Sequence, residues 1–438
     1  MSESGPIRKT RSVCPVCLRQ IPAELYMQQD GSVLLEKECP EHGHSSVPVW
    51  RGRIDYREWR GDLPETPDSL RLDCPNCAGI CGEHQQGTCC ALLEVTRLCE
   101  LNCRFCFADG SMPEPELSDL KADVDRILEL GGRPLIQFSG GEPTMRGDLP
   151  ELIAYAAEKG APYTQVNSNG IRLAEDEGYV KALADAGLSF VFMQFDGVDD
   201  RVYKTLRGRP LLETKLKAIE MCGRYNVGVT LVPTVVRGVN DGQIGDIIRL
   251  AGALSPAVRG VHFQPVSYFG RYPDTPGGDE RYTLDELLAA LRDQAGVMPE
   301  NILQSRCDHP LCGFHGSFIA LPGGELVPLS KRGGARAACG VTTAKQNRDY
   351  IGSRWKRGPV SEQESASAAV DITSLDDFIK YSKTRGFTIS AMAFQDAMNL
   401  DIERLRRCSL HVYKDGVLMP FCARYLTPME ESARDAIR

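Results

Sequence analysis

The sequence predicts an α/β fold, a parallel and partly closed (β/α)6 barrel of TIM-like type with a small appendage at each end. Six short β-type runs, at 92–95, 135–138, 163–166, 190–195, 228–235 and 260–266, alternate with helix-length segments. Those segments carry start and stop signals: Ser118 opens one that stops at Gly131-Gly132, and Asp148 caps another that stops at Gly160. Glycine or polar residues directly follow several runs, at the strand C-termini where a parallel barrel does its chemistry.

A chain of 438 residues with 42% hydrophobic content can bury one large core plus smaller units. No apolar run approaches the roughly 20 residues of a membrane span. Residues 1–11 are polar and lack the apolar centre of a secretory signal. Net charge is −8, from 59 acidic and 51 basic residues with no lysine- or arginine-rich block, so nucleic acid is a poor partner. The 17 cysteines fall in C-x2-C and C-x3-C groups, which favours metal over disulfides and a reducing, cytoplasmic and anaerobic setting.

In chain order, residues 1–60 read as a metal domain. Cys14, Cys17, Cys39 and His42 form C-x2-C…C-x2-H, two knuckles joined by a hairpin that turns at Asp30-Gly31. Such a closed site is structural or electron-transferring, and holds zinc or a single rubredoxin-like iron. His44 is a weaker ligand candidate, because it breaks the two-residue gap. Residues 61–90 read as an iron–sulfur loop: Cys74, Cys77, Cys81 and Cys89 would close a cluster, with Cys90 to spare.

After the first barrel strand come Cys99, Cys103 and Cys106, spaced C-x3-C-x2-C, with no further cysteine before Cys222. Three thiolates leave a site one protein ligand short, which fits a [4Fe–4S] cluster with one open iron. The second strand runs into Gly140-Gly141-Glu142-Pro143, where glycines admit a close backbone approach and the carboxylate can offset a positive charge. Asn167 and Asn169 follow strand three, and Gln194 and Asp196 end strand four. Polar groups buried there need a partner, either a bound cofactor or a turn cap. Residues 203–210 read as a basic loop, solvated or paired with an anion, and either His262 or Gln264 of strand six is a candidate for the barrel interior.

Residues 276–438 read as a C-terminal unit. Cys307 and Cys312 precede a hairpin-like run, a polar aperiodic stretch at 342–369 reads as a mobile insertion, and a helix starts near Ser374. Asp415-Gly416 turns a hairpin expected to bring Cys408 and Cys422 together. Cys307, Cys312, Cys408 and Cys422 could then close an auxiliary cluster, the alternative being scattered buried thiols. Cys222, among apolar neighbours, reads as core.

The thiol loop with Phe105 before its last cysteine, and Gly140–Pro143 one strand later, resemble the radical SAM superfamily. The resemblance implies that S-adenosylmethionine chelates the open iron, with the glycine motif at its amino group. It also implies that Asn167, Asn169, Gln194 and Asp196 face that cofactor or the substrate. The expected reaction is reductive cleavage of S-adenosylmethionine to a 5′-deoxyadenosyl radical that takes hydrogen from an unactivated carbon. Residues 81–97, with Cys39-Pro40-Glu41-His42, resemble tetraether-lipid synthase and, more closely, TrsS-type radical SAM (seleno)proteins. The second thiol of the loop, Cys77, is displaced by one residue from that subfamily's pattern. This likeness implies C–C bond formation or methylation of a lipid-like substrate, one or two auxiliary [4Fe–4S] clusters, and a low-potential donor such as ferredoxin or flavodoxin. The alternatives are maturation of a peptide or redox-cofactor precursor and an iron–sulfur electron-transfer protein; the glycine motif, needless in a pure relay, speaks against the latter.

Overall fold

The computed structural model describes residues 5–61, 63, 74–75, 79–108, 113–273, 278–305, 307–329, 342–358 and 374–429. Arg8–Val13 (β1), Gln20–Met27 (β2), Ser32–Cys39 (β3) and Gly43–Arg51 (β4) form an antiparallel sheet in chain order. The turn between β2 and β3 is the expected one, with Gly31 at φ +82°, a conformation glycine adopts without steric penalty. Along β3 Val33, Leu35, Lys37 and Cys39 alternate inward. The buried Lys37 is accommodated because its Nζ donates to Ser12 Oγ (3.1 Å) and the Ala397 carbonyl (2.8 Å).

All six expected barrel strands are present: Cys90–Thr96 (β5), Leu135–Gly140 (β6), Thr164–Ser168 (β7), Phe190–Gln194 (β8), Gly228–Val232 (β9) and Val258–Pro265, with Thr234–Val235 (β10) pairing beside the last, β11. They pair in parallel in that order. Alternation divides each strand. Ile136, Phe138, Val166, Val191, Met193, Leu231, Val261 and Phe263 join the apolar layer under the helices, whereas their neighbours face the interior. Helix Leu117–Leu130 shows the matching pattern, burying Leu120, Val124, Ile127 and Leu128; it begins at Glu116 as N-cap, two residues before Ser118, and stops at Gly131 as expected. Each such buried side chain contributes about 1.5–3 kcal/mol.

The later strands are Leu303–Gln304 (β12), Gly313–Ala320 (β13), Leu326–Pro328 (β14), Gly386–Met392 (β15), Leu410–Lys414 (β16) and Val417–Pro420 (β17). They extend the barrel's own sheet: β15 pairs in parallel with β11 at one edge, β16 in parallel with β5 at the other. The Asp415-Gly416 turn joins β16 to β17, as expected. Buried charges tie the antiparallel domain to this C-terminal region, since Arg8 pairs with Asp401 and Glu403, and Arg60 reaches Glu403 at 3.2 Å.

Two expectations are corrected. The basic stretch at 203–210 is not a loop at its start: Asp200–Arg207 is a helix that buries Val202, Tyr203, Leu206 and Arg207, because its apolar residues recur at helical spacing. In the stretch 342–369, the described part holds a helix, Ala344–Trp355, opened by a Thr343–Gln346 capping box. Residues 359–369 of that stretch lie outside the described residues. The helix lies across the N-terminal ends of the barrel strands, where Arg348 donates to the Arg133 carbonyl (2.5 Å), Arg259 to the Arg354 carbonyl (3.0 Å) and Trp355 Nε1 to Thr388 Oγ1 (2.9 Å). No helix among the described residues is long and apolar enough to cross a membrane.

Candidate active site and metal centres

The thiol loop leaves β5 at the C-terminal mouth of the barrel. It is held by paired backbone hydrogen bonds between Cys106 and Arg271 (3.0 and 2.8 Å) and by the Arg104 N–H on the Leu206 carbonyl (2.9 Å). Cys99, Cys103 and Cys106 line one cavity, and Phe105 meets Tyr268 edge to face at 6.1 Å. Burial pushes the Cys99 thiol up to about 12 and Cys106 up as well. Thiols in such surroundings stay protonated unless a metal centre takes the proton's place.

The glycine turn is locked to the root of that loop. Gly141 N–H donates to the Thr96 carbonyl and Glu142 N–H to the Leu98 carbonyl, both at 2.7 Å. A Cβ on Gly140 (φ +116°) would stand 2.3 Å from Thr96 O, and one on Gly141 2.2 Å from Leu98 O, so only glycine permits the approach. Pro143 opens the short 3-10 turn that follows. The Glu142 carboxylate is buried and fully engaged, accepting from Thr144 N (3.1 Å), Thr144 Oγ1 (2.6 Å), Ser168 Oγ (2.9 Å) and Asn169 N (2.6 Å). Burial raises its pKa, opposed by those four bonds. Its visible role is to clamp the glycine turn to the end of β7.

Asn167 donates to Ser139 Oγ (3.4 Å) and accepts from Gln165 Nε2 (2.8 Å). Asn169 Oδ1 caps Ile171 N–H (2.9 Å), while its buried Nδ2 has no partner among the described residues. Gln194 bridges Lys215 Nζ (3.1 Å) and Asp196 Oδ2 (2.9 Å). Asp196, read from the sequence as facing a ligand, is wholly buried and forms a two-point pair with Arg207, each bond 2.8 Å, while also accepting from Thr234 N–H (3.1 Å). Arg207 in turn lies within electrostatic reach of Cys103: burial opposes its charge, but Asp196 and then Cys103 outweigh burial and raise its pKa. Lys215 also donates to the Asn169 carbonyl, and burial lowers its pKa to about 8. Arg207 and Lys215 are site residues that the sequence reading did not single out.

From this mouth a cavity of about 480 Å³ descends through the barrel, lined on successive inward positions by Ser139, Asn167, Gln194 and Gln264, then Gln137, Gln165, Phe192 and His262. Both strand-six candidates thus face inside. His262 Nδ1 pairs with Ser390 Oγ (2.9 Å), and burial lowers the imidazole to about 4, so it is neutral near pH 7. Helix Ala344–Trp355 supplies the floor.

Cys14, Cys17, Cys39 and His42 converge at the turns β1–β2 and β3–β4, their ligand atoms all within 4.8 Å of one another, the one such group among the described residues. His44 instead faces Glu36 at 3.9 Å. This donor set fits one tetrahedral ion. Cys422 is buried and Cys312 and Cys408 half-buried, within electrostatic reach of one another; Arg404 Nε donates to Cys312 Sγ (3.4 Å) and Gln395 N–H to Cys422 Sγ (3.2 Å). Cys307, grouped with them from the sequence, packs against Cys89 and Ala344 instead. Cys89 accepts from Asn347 Nδ2 (3.3 Å), Cys74 is buried with its carbonyl on Gln20, Cys81 is half-buried, and Cys77 lies outside the described residues. Cys222 is core, as expected.

Residues 93–251 match the family model of the radical SAM superfamily, and residues 6–51 that of the HMPTM N-terminal zinc ribbon domain. The chain is 32% identical to 7,8-dihydro-6-hydroxymethylpterin dimethyltransferase of Methanocaldococcus jannaschii, over 95% of this chain and 92% of that protein. It is 37% identical to Fe-coproporphyrin III synthase of Methanosarcina barkeri, over 49% of this chain and 55% of that protein, so it spans about half of that relative. Among solved structures, Streptococcus suis SuiB aligns with TM-score 0.40 and 16% identity, over 47% of this chain and 45% of SuiB.

Proposed function

The chain belongs to the radical SAM superfamily, and from that premise we propose that it is a C-methyltransferase of a reduced pterin. The observation that carries this reading is the extent of the likeness to the pterin dimethyltransferase, which runs through ribbon, barrel and C-terminal strands alike. A likeness confined to the barrel would support radical chemistry alone. The cavity agrees, because its lining of glutamine, asparagine and histidine suits a hydrogen-bonding heterocycle.

We assign Cys99, Cys103 and Cys106 as ligands of a [4Fe–4S] cluster, and Gly140, Gly141, Glu142, Asn167, Asn169 and Gln194, with Phe105, as the walls that hold S-adenosylmethionine; Asp196 and Pro143 are buried behind them. The unpartnered Asn169 Nδ2 is the donor that such a ligand would satisfy. When bound, cluster and S-adenosylmethionine supply one-electron cleavage of the sulfonium and hence a 5′-deoxyadenosyl radical. The protein's part is placement. Glu142 fixes the glycine turn, the Asp196–Arg207 pair keeps a positive charge beside Cys103, and helix Ala344–Trp355 closes the floor against water.

The N-terminal ion, which we take as zinc with single iron the alternative, is structural. Cys312, Cys408 and Cys422 are the ligands we assign to an auxiliary cluster, and the 74–89 loop to a further one. We infer a reducing cytoplasm from the clustering of the thiols, and a ferredoxin or flavodoxin as donor. The test is anaerobic reconstitution, iron and zinc counts, then reduction with S-adenosylmethionine and 6-hydroxymethyl-7,8-dihydropterin. Pterin-dependent 5′-deoxyadenosine and a product heavier by one or two methyl groups are expected. Formation of 5′-deoxyadenosine with the pterin returned unchanged would overturn the reading.

A further inference from the structure

The lower half of the cavity is a built pocket distinct from the mouth. Gln137 and Gln165 stand opposite each other on β6 and β7. Each has one end of its amide fixed by the protein: Cys90 Sγ donates to Gln137 Oε1 at 3.2 Å, and Gln165 Nε2 donates to Asn167 Oδ1 at 2.8 Å. The other ends, Gln137 Nε2 and Gln165 Oε1, find no partner among the described residues. A donor and an acceptor are therefore presented side by side at the inner end of the cavity. Such groups are unfavourable to bury unless something completes them.

The floor beside them is aromatic. Phe192 lies 5.0 Å from Trp355 and 5.2 Å from His262 between ring centroids. His262 is tethered through Nδ1 to Ser390, so its ring is held in place, and burial keeps it uncharged. Flat apolar walls plus an adjacent donor and acceptor are complementary to one chemical class: a planar heterocycle that offers C=O next to N–H or NH2 on one edge.

We infer that this pocket binds the aminopyrimidinone ring of the substrate, with Gln137 donating to its carbonyl and Gln165 accepting from its amino group. The inference rests on the pterin reading and deepens it, although guanine carries the same edge. It also gives helix Ala344–Trp355 a role in specificity, since Trp355 comes from outside the six strand–helix units. The ring end buried at the floor leaves the ring's substituents directed toward the mouth, where the three thiols stand.

The experiment measures equilibrium binding to the reconstituted enzyme of dihydropterin, of its lumazine counterpart with oxygen in place of the 2-amino group, and of GTP against XTP, which differ at the same position. Wild type is expected to prefer the amino form by about tenfold or more, since the lumazine leaves Gln165 facing an acceptor. Gln165→Leu is expected to bind dihydropterin and lumazine equally, a loss of discrimination that a general weakening of the fold would not produce. Should Gln165→Leu fail to fold, Gln137→Leu, scored for weaker binding of 4-oxo ligands relative to their 4-deoxo analogues, serves instead. Undiminished discrimination in the folded variant would overturn the inference and leave the pterin reading intact. Preference for GTP over XTP that Gln165→Leu abolishes, with no pterin bound, would overturn the pterin reading and uphold the pocket. Wild-type binding of amino and oxo forms alike would overturn the pocket directly.

Discussion

Glu142→Gln separates two roles for the motif carboxylate. In the structure Oε1 accepts from Thr144 N–H, Thr144 Oγ1 and Ser168 Oγ, and Oε2 from Asn169 N–H. A glutamine can put its oxygen toward the three donors only by turning its NH2 onto the Asn169 N–H. One charge-assisted hydrogen bond is then lost, about 1.5–3 kcal/mol, and a buried N–H is left unpaired, about 1–3 kcal/mol. Neutrality returns part of this, because burial already disfavours the carboxylate. The expected net destabilisation is about 2–4 kcal/mol, read by urea denaturation of the anaerobic protein. Affinity for S-adenosylmethionine should fall with it, as the Gly140–Gly141 turn loses its anchor to β7. A variant of unchanged stability that nonetheless fails to bind S-adenosylmethionine would refute the reasoning, because the carboxylate would then be a ligand contact and not a clamp.

Gly141→Ala places a methyl 2.2 Å from the Leu98 carbonyl and should cut 5′-deoxyadenosine formation by about a hundredfold, measured in reduced enzyme by chromatography. Cys39→Ser should remove the single ribbon ion while leaving cluster iron unchanged, checked by elemental analysis before and after mild chelation. Burial, then His84, lowers the pKa of His411 from 6.5 to about 3. Its folded form therefore binds fewer protons than the unfolded chain at mildly acid pH, and stability falls as pH drops below 6.5. Going from pH 6.5 to 5.5 should cost the wild type about 1 kcal/mol more than His411→Asn, by denaturant titration at both pH values.

What the sequence disclosed tracks how local each signal is. The ribbon ligands were legible because Cys14/Cys17 and Cys39/His42 each sit in one turn, so spacing along the chain is nearly spacing in space. The barrel strands were legible because each is an apolar run bounded by turn residues, and the thiol loop and glycine motif because each is contiguous. Arg207 was not. Its partner Asp196 belongs to another element, and a cluster of basic residues looks the same whether solvated or paired; only the spacing of Val202, Tyr203 and Leu206 could have announced a buried helix. Helix Ala344–Trp355 escaped because it is held by polar bonds, Arg348 donating to the Arg133 carbonyl and the Arg354 carbonyl accepting from Arg259, which leaves it little apolar periodicity. The grouping of Cys307 failed for a related reason: proximity in sequence to Cys312 does not say which neighbours a thiol packs against, and Cys307 meets Cys89 and Ala344.

That contrast bears on how the chain divides its labour. The parts implied in radical generation lie at the strand C-termini, whereas Trp355 of the floor and both sheet edges come from residues beyond 303. A parallel sheet with open edges would expose unpaired backbone groups along β5 and β11. The chain covers both with its own later strands, β16 and β15. The segment that completes the sheet also carries Trp355 and Ser390, which border or fix the lower pocket. Extending the sheet and shaping the barrel floor therefore fall to one region of the chain, and changes there can retune the ligand edge without touching the thiol loop. Substrate differences among enzymes that share this barrel are then expected to concentrate in the inward positions of β6 and β7 and in the helix beneath them.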